Sequence, residues 1–347
     1  MSLAASILAG DRLALTRLLS YIENGTAEGR AALSELFPYT GRAHLIGVTG
    51  PPGAGKSSLV NHLARHYRIP PDGTPPRRVA IIAVDPTSPF SGGAILGDRL
   101  RMRDLAGDAG VFIRSMASRG SLGGLATATA GVAQVFDAAG FETILIETVG
   151  AGQAEVDIAR LAHTTLVVET PGAGDDIQAI KAGILEIADI LVLNKADQPG
   201  ADSVERALRT MLELAHPTPH IFQDHPPVET AAMPASPQPM WLPPILRTIA
   251  TRGTGIAELA SAIAQHAAYL RQSGEWQRRE RYRLEAELNT ALREILMARW
   301  QASIPQARYR EIVESVAARR LSPGEAVEKL LNSFGGAHAP PADPALD

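Results

Sequence analysis

One stretch, Ile46 to Ser58, limits the fold of this chain more than any other. It reads I-G-V-T-G-P-P-G-A-G-K-S-S. The apolar run Leu45 to Val48 reads as a strand, Gly50 to Ser57 fits the pattern G-x-x-x-x-G-K-[ST], and the residues from Ser58 onward open a helix. Strand, glycine-rich loop and helix in that order make a cradle for phosphate. Gly53 and Gly55, flanking Ala54, let backbone N–H groups turn inward where a Cβ would clash. The helix that follows, entered through Ser57 and Ser58, turns its positive end toward the same anion. Lys56 is placed to reach the β and γ phosphates, and the Ser57 hydroxyl to ligate Mg²⁺. The expectation is a nucleoside triphosphate site.

The chain has 347 residues, 45% of them apolar, with a net charge of −4. That suffices for a large buried core and gives no charge excess pointing to nucleic acid or an anionic membrane. Cysteine is absent, which excludes disulfides, thiolate metal sites and cysteine nucleophiles. No apolar run is long enough to span a bilayer, and Asp11, Glu23 and Glu28 argue against a transit peptide. The expected location is cytoplasmic.

Ahead of the phosphate loop, Leu3 to Ile22 has mainly helical spacing broken at Gly10-Asp11, and Ala27 to Phe37 is a second short helix stopped by Pro38. Segment 1–42 is thus a helical prelude, too short to fold alone. Val79 to Val84 is a continuous apolar run, the pattern of a buried parallel strand, and it delivers Asp85 to the edge where open α/β sheets bind ligands. Val111 to Arg114 reads as a short strand followed by a loop over Ser115 to Gly124, then a helix from Leu125 to Ala139. Thr143 to Ile146 is a strand closing on Glu147-Thr148-Val149-Gly150. This E-x-x-G stands where many GTPases carry D-x-x-G: the acid approaches the metal and the glycine N–H senses the γ-phosphate.

Leu166 to Val168 and Asp189 to Leu193 read as further strands, with a helix over Ile177 to Ala188 between them. The second strand delivers Asn194-Lys195-Ala196-Asp197. An Asp carboxylate accepts two hydrogen bonds from guanine N1–H and the 2-amino group, whereas adenine would leave a buried acceptor unpaired. Ala201 to Leu214 is an amphipathic helix, and 216–244 a proline-rich surface loop whose His216, His220 and His225 lack the partners of a metal site. His62 and His66 read as a polar helix face. Pro244 to Ala250 is the last strand, and around Ala250 GTPases bring a backbone N–H to the guanine carbonyl. A helix over Ile256 to Leu270 completes a P-loop domain spanning 43–270. From Glu275 the chain is helical and charge-laced, with Leu284, Leu288, Leu292, Ile295 and Leu296 in one apolar stripe, so 271–334 reads as an arm for self-association and 335–347 as a disordered tail. The fold class is α/β: a mostly parallel P-loop NTPase sheet flanked by helices, with helical extensions at both ends.

Five segments in order, G-P-P-G-A-G-K-S, V-D-P-T-S-P-F-S-G-G-A-I-L-G-D-R, E-T-V-G-A-G-Q-A-E, P-G-A-G-D-D-I-Q-A-I-K-A-G and N-K-A-D, resemble one family. The chain is similar, over about Leu8 to Leu270, to the MeaB/ArgK-type P-loop GTPases, the G-protein chaperones associated with methylmalonyl-CoA mutase. The resemblance implies Mg²⁺ held near Ser57, Asp85, Asp98 and Glu147, γ-phosphate sensing by Gly150, and guanine recognition by Asn194, Lys195 and Asp197. It implies that Gly172 to Lys181 is a loop answering to the partner mutase. It further implies a homodimer joined by the C-terminal helices, and hydrolysis of GTP to GDP coupled to adenosylcobalamin delivery to an acyl-CoA mutase.

Hydrolysis needs a positioned water and neutralised phosphate charge. Lys56, Mg²⁺ and the loop N–H groups supply the charge. Ala151 follows Gly150 where a glutamine would orient water, so Gln153, Arg119 or Lys181 is expected to serve once a partner orders them. Three other readings stand beside this one. They are a transport-linked ATPase or kinase for basic amino acids, a nickel metallochaperone GTPase, and a nucleotide-gated scaffold without turnover. Asn194-Lys195-Ala196-Asp197 speaks against ATP, the missing cysteines against nickel, and the full set Lys56, Ser57, Asp85 and Glu147 for turnover.

Overall fold

A computed structural model describes residues 1–86, 102–105, 107–118, 124–148, 154–172, 186–214 and 240–335. The chain divides into two compact units, Met1–Leu284 and Glu285–Asp347. The first is built on seven parallel strands in the order β3-β2-β4-β1-β5-β6-β7. These are β1 (His44–Thr49), β2 (Val79–Pro86), β3 (Val111–Ser118), β4 (Thr143–Thr148), β5 (Thr164–Glu169), β6 (Ile190–Leu193) and β7 (Ile245–Arg247). The apolar runs within β1, β4, β5 and β6 follow from burial on both faces.

Successive side chains along each strand point to opposite faces of the sheet. On one face Leu45, Ala80, Ile82, Ile144 and Ile146 meet the helical prelude α1 (Leu3–Leu8), α2 (Arg12–Glu23) and α3 (Ala27–Leu36) together with α5 (Gly124–Ala138). On the other, Ile46, Val48, Ile81 and Leu145 meet α4 (Lys56–Arg68) and α8 (Ile256–Ser273). Asp11 caps α2 by accepting from the Leu13 and Ala14 N–H groups, and Gly25 takes the left-handed φ of +63° that ends the turn after it. The prelude is tied to the sheet where Arg114 of β3 donates to Glu23 Oε2 at 2.7 Å.

Three elements differ from the sequence expectation. Helix α6 (Ala154–Leu161) was not anticipated, because eight residues carry too little periodicity; it forms where Ile158 packs over Gly47 of β1. Strand β3 runs on to Ser118, held by pairing with Pro86 of β2. The last strand stops at Arg247, and the chain then turns through a 3-10 segment, Ala250–Arg252, clasped by a bridge between Ile249 and Thr254. Helix α7 (Ala201–Leu214) agrees with expectation, and so do α9 (Glu275–Ser303), α10 (Gln306–Ala317) and α11 (Pro323–Gly335), with the break at Pro305 that the sequence required. In the second unit Ile312, Ala326 and Leu330 make a small core with Trp300. No described helix is long and apolar enough to cross a membrane.

A buried ionic cluster closes the sheet edge at which the strands begin. Asp189, at the start of β6, holds Arg279 of α9 in two bonds of 2.8 Å, and accepts a third from the Thr165 N–H. Burial alone would push the Asp189 carboxyl upward, but the Arg279 charge and His266 outweigh it and hold it far below the usual carboxylate range. Beside it, Thr164 Oγ1 sits 2.8 Å from His44 Nε2 and 2.9 Å from His266 Nδ1, and Trp276 stacks on His163 with ring centres 3.9 Å apart.

Burial also lowers the pKa of His44, with His163, His266, Arg271 and Arg77 pushing the same way. An unfolded histidine titrates near ~6.5, so below that pH the unfolded chain takes up a proton that folded His44 refuses. Stability is therefore expected to fall on acidification, by about 1.4 kcal/mol per pH unit for this histidine. Urea unfolding of a His44→Gln variant should show a shallower loss between about pH 6.5 and 5.5 than the parent chain. An identical slope would count against His44 as an acid-labile group.

Candidate nucleotide-binding site

The carboxyl ends of the strands carry the groups that the sequence singled out. β1 runs into the phosphate loop through Gly50, whose φ of +140° is open to glycine and where a Cβ would strike the Val168 carbonyl. Gly55 is left-handed (φ +86°) and caps the N-terminus of α4; a Cβ there would strike Asn194 Nδ2. Between them Gly53 is exposed and Ala54 buried, and Ser58 lies half-buried in the first turn of α4. Lys56 is buried, with Nζ donating to the Gly50 carbonyl at 2.8 Å and the Pro51 carbonyl at 2.9 Å. The lysine thus lies along the mouth of the cradle, held by the loop's own oxygens.

The Ser57 hydroxyl donates to Glu147 Oε1 at 2.6 Å, and both residues are buried. Glu147 is the penultimate residue of β4, paired in register with Val48 of β1. On the other side of β4, Val84 pairs with Thr148, so Asp85 is the next residue out along β2 at the same sheet edge. Two hard oxygen donors in contact, a hydroxyl and a carboxylate, with a second carboxylate residue one strand away, fit Mg²⁺ and give no soft or imidazole ligand for another metal. Among the described residues no cluster of three or more His, Asp or Glu forms a separate metal site. Asp98, Gly150, Gln153 and Lys181 lie outside the described residues, as do Arg119 and the loop histidines.

The N-K-x-D segment follows β6. Asn194 is buried, and both ends of its amide bond protein groups. Nδ2 donates to the Ala54 carbonyl at 2.7 Å, while Oδ1 accepts from Thr248 Oγ1 at 3.1 Å and from the Ala250 N–H at 3.0 Å. The Ala250 N–H, expected from the sequence near a guanine carbonyl, donates to Asn194 Oδ1 in this chain. Asn194 is a strut that fixes the phosphate loop, the N-K-x-D turn and the Thr248–Ala250 turn as one body. Lys195 takes a left-handed φ of +55°, and the Thr248 carbonyl accepts from the Ala196 N–H at 3.1 Å. That twist leaves Asp197 exposed, with Arg252 Nη2 3.6 Å from its carboxylate. Arg252 was not singled out in the sequence; no local signal marks it, because the contact depends on the 3-10 turn.

A family profile described as methylmalonyl Co-A mutase-associated GTPase MeaB matches residues 15–304. A Pyrococcus abyssi protein provisionally named a GTPase is 42% identical over 327 residues, covering 94% of each chain. The mouse protein named methylmalonic aciduria type A homolog, mitochondrial, is 30% identical over 294 residues, covering 84% of this chain and 66% of that one. Among solved structures, a crystal structure of a LAO/AO transport system kinase superposes with a TM-score of 0.66 at 25% identity, covering 96% of both chains. The family profile and the Pyrococcus relative are named GTPases, and the solved structure shares the P-loop NTPase fold.

Proposed function

Because the chain belongs to the family of methylmalonyl-CoA mutase-associated GTPases, MeaB, we propose that it binds GTP with Mg²⁺ and hydrolyses it to GDP and phosphate. The turnover serves cofactor loading and protection of an adenosylcobalamin-dependent acyl-CoA mutase. The observation that carries this reading is the Asn194 strut, which joins Ala54 of the phosphate loop to the turn bearing Asp197. A loop tied in this way to a carboxylate turn sets the distance between triphosphate and purine.

The roles follow from placement. Lys56 exchanges the Gly50 and Pro51 carbonyls for phosphate oxygens, a trade of two neutral acceptors for charged ones. Ser57 and Glu147, with Asp85 and Asp98, would hold Mg²⁺, which would neutralise phosphate charge. Gly150 senses the γ-phosphate, and Gln153 and Lys181 complete the site when a partner orders them. Asp197 accepts from the guanine edge, with Lys195 beside it. Segment 271–334 is the arm of a homodimer: Leu288, Leu292, Ile295 and Leu296 are at least half exposed along α9. The expected setting is the cytoplasm.

The test is single-turnover GTP hydrolysis with and without a purified adenosylcobalamin-dependent methylmalonyl-CoA mutase. Acceleration of at least about tenfold is expected, since partner-supplied groups are worth far more in other GTPases. Equal rates would remove the partner from the reading, and no phosphate release at all would leave a nucleotide-gated scaffold. An ATP-using kinase, the reading suggested by the name of the structural neighbour, predicts instead that ATP competes on equal terms with GTP.

A further inference from the structure

At the sheet edge opposite the phosphate loop lies a cavity of about 810 Å³, within the range of small-molecule pockets. It is bounded by the start of β1, the end of α4 with the loop after it, and α8. Along α8 the lining residues Ala260, Ser261, Ala264 and Ala267 recur at helical spacing, and their small side chains leave the volume open. Arg42, Arg77 and Arg271 converge on it from three different elements, joined by His44 and His66.

These three guanidiniums have no carboxylate partner among the described residues. The Arg42 side chain makes no hydrogen bond or ion pair there. Arg77 and Arg271 lie over aromatic faces only, 5.3 Å from the Tyr67 ring centre and 4.2 Å from that of Trp276. The acids that line the same cavity are turned to other donors: Asp72 accepts from Thr74, and Glu142 from the Arg78 N–H at 3.1 Å. Arg68, on α4 two residues past His66, shows the contrast, since it is matched to Asp108 by two bonds of 2.8 Å.

We propose that this pocket binds a small organic anion carrying two or more carboxylate or phosphate groups, gripped by Arg42, Arg77 and Arg271 over the alanine-rich floor of α8. Guanidinium forks match both groups bidentately, and a polyanion satisfies several at once. The site is distinct from the nucleotide cradle: His44 and Thr49 are opposite ends of β1, about 17 Å apart by strand rise. The field is already felt at His44, where the Arg271 and Arg77 charges add to burial in disfavouring its protonated form. An anion there would ease that penalty.

The test uses the full chain saturated with GDP and Mg²⁺, so that the phosphate loop is filled. Pyrophosphate and citrate are titrated separately by calorimetry, with the His44 ring followed by NMR. Saturable binding of either probe is expected, weakened about tenfold by Arg42→Ala and about tenfold again on adding Arg271→Ala, with GDP affinity unchanged. Binding of pyrophosphate alone assigns a phosphate ligand, and of citrate alone a carboxylate ligand. Because the Arg42 side chain makes no hydrogen bond or ion pair among the described residues, its variant keeps the test valid if Arg271→Ala loosens Trp276. Absence of binding by both probes up to about 10 mM, or binding indifferent to Arg42 and Arg271, overturns the proposal. Neither result bears on GTP hydrolysis, which is measured separately.

Discussion

An Asp197→Asn variant is expected to lose its preference for GTP over ATP by roughly two to four orders of magnitude. On the proposed reading the Asp197 carboxylate accepts twice from a purine edge bearing two donors. Each hydrogen bond to a charged group contributes about 1.5–3 kcal/mol, so two of them account for that range. An amide in its place presents one acceptor and one donor. That pattern matches the N1–H and C2 carbonyl of xanthine, so xanthosine triphosphate should bind the variant better than GTP does. The folded chain should tolerate the change. Asp197 is exposed and its one ion pair, to Arg252 at 3.6 Å, lies in solvent, where such pairs contribute little. Competition calorimetry with the three triphosphates reads the result. Unchanged discrimination in the variant would mean that the purine is chosen elsewhere, and the guanine assignment would fall with it.

Much of this site was legible in the sequence because its chemistry is local. Gly50 to Ser57 dictates its own geometry: glycine at φ +140° and +86°, then a helix start. The strands that bring Glu147 and Asn194 to the same edge announced themselves as unbroken apolar runs. What the sequence could not carry was contact between distant segments. Asn194 reads as a base-binding residue in a four-letter motif, yet the partner of its Nδ2 is Ala54, 140 residues earlier. The Ala250 N–H is committed for the same reason. The edge cluster is harder still to read. His44, His163, Asp189 and Arg279 lie on separate elements and become a unit only when the start of α9 folds back over the ends of β1, β5 and β6. Helix α6 escaped notice because its eight residues rely on packing over Gly47 more than on their own pattern.

A Lys56→Ala variant is expected to slow single-turnover GTP hydrolysis by about three orders of magnitude, the range for removing a preorganised charge from a phosphoryl-transfer site. The structure separates two ways in which that loss could arise. Lys56 Nζ bridges the Gly50 and Pro51 carbonyls, so its removal could loosen the loop as well as strip charge from the γ-phosphate. Loosening would weaken GDP and GTP alike. Loss of charge would act most on the transition state, where the transferring group spreads negative charge over its oxygens. Lys56→Arg keeps a charged donor for the loop carbonyls but moves the charge off the compact ammonium's position, so it should bind nucleotide near normally and remain slow. Rapid-quench hydrolysis paired with GDP affinity distinguishes the two causes. If both variants bind GDP poorly and, once saturated, hydrolyse GTP at the parent rate, Lys56 holds the loop and takes no part in the chemistry.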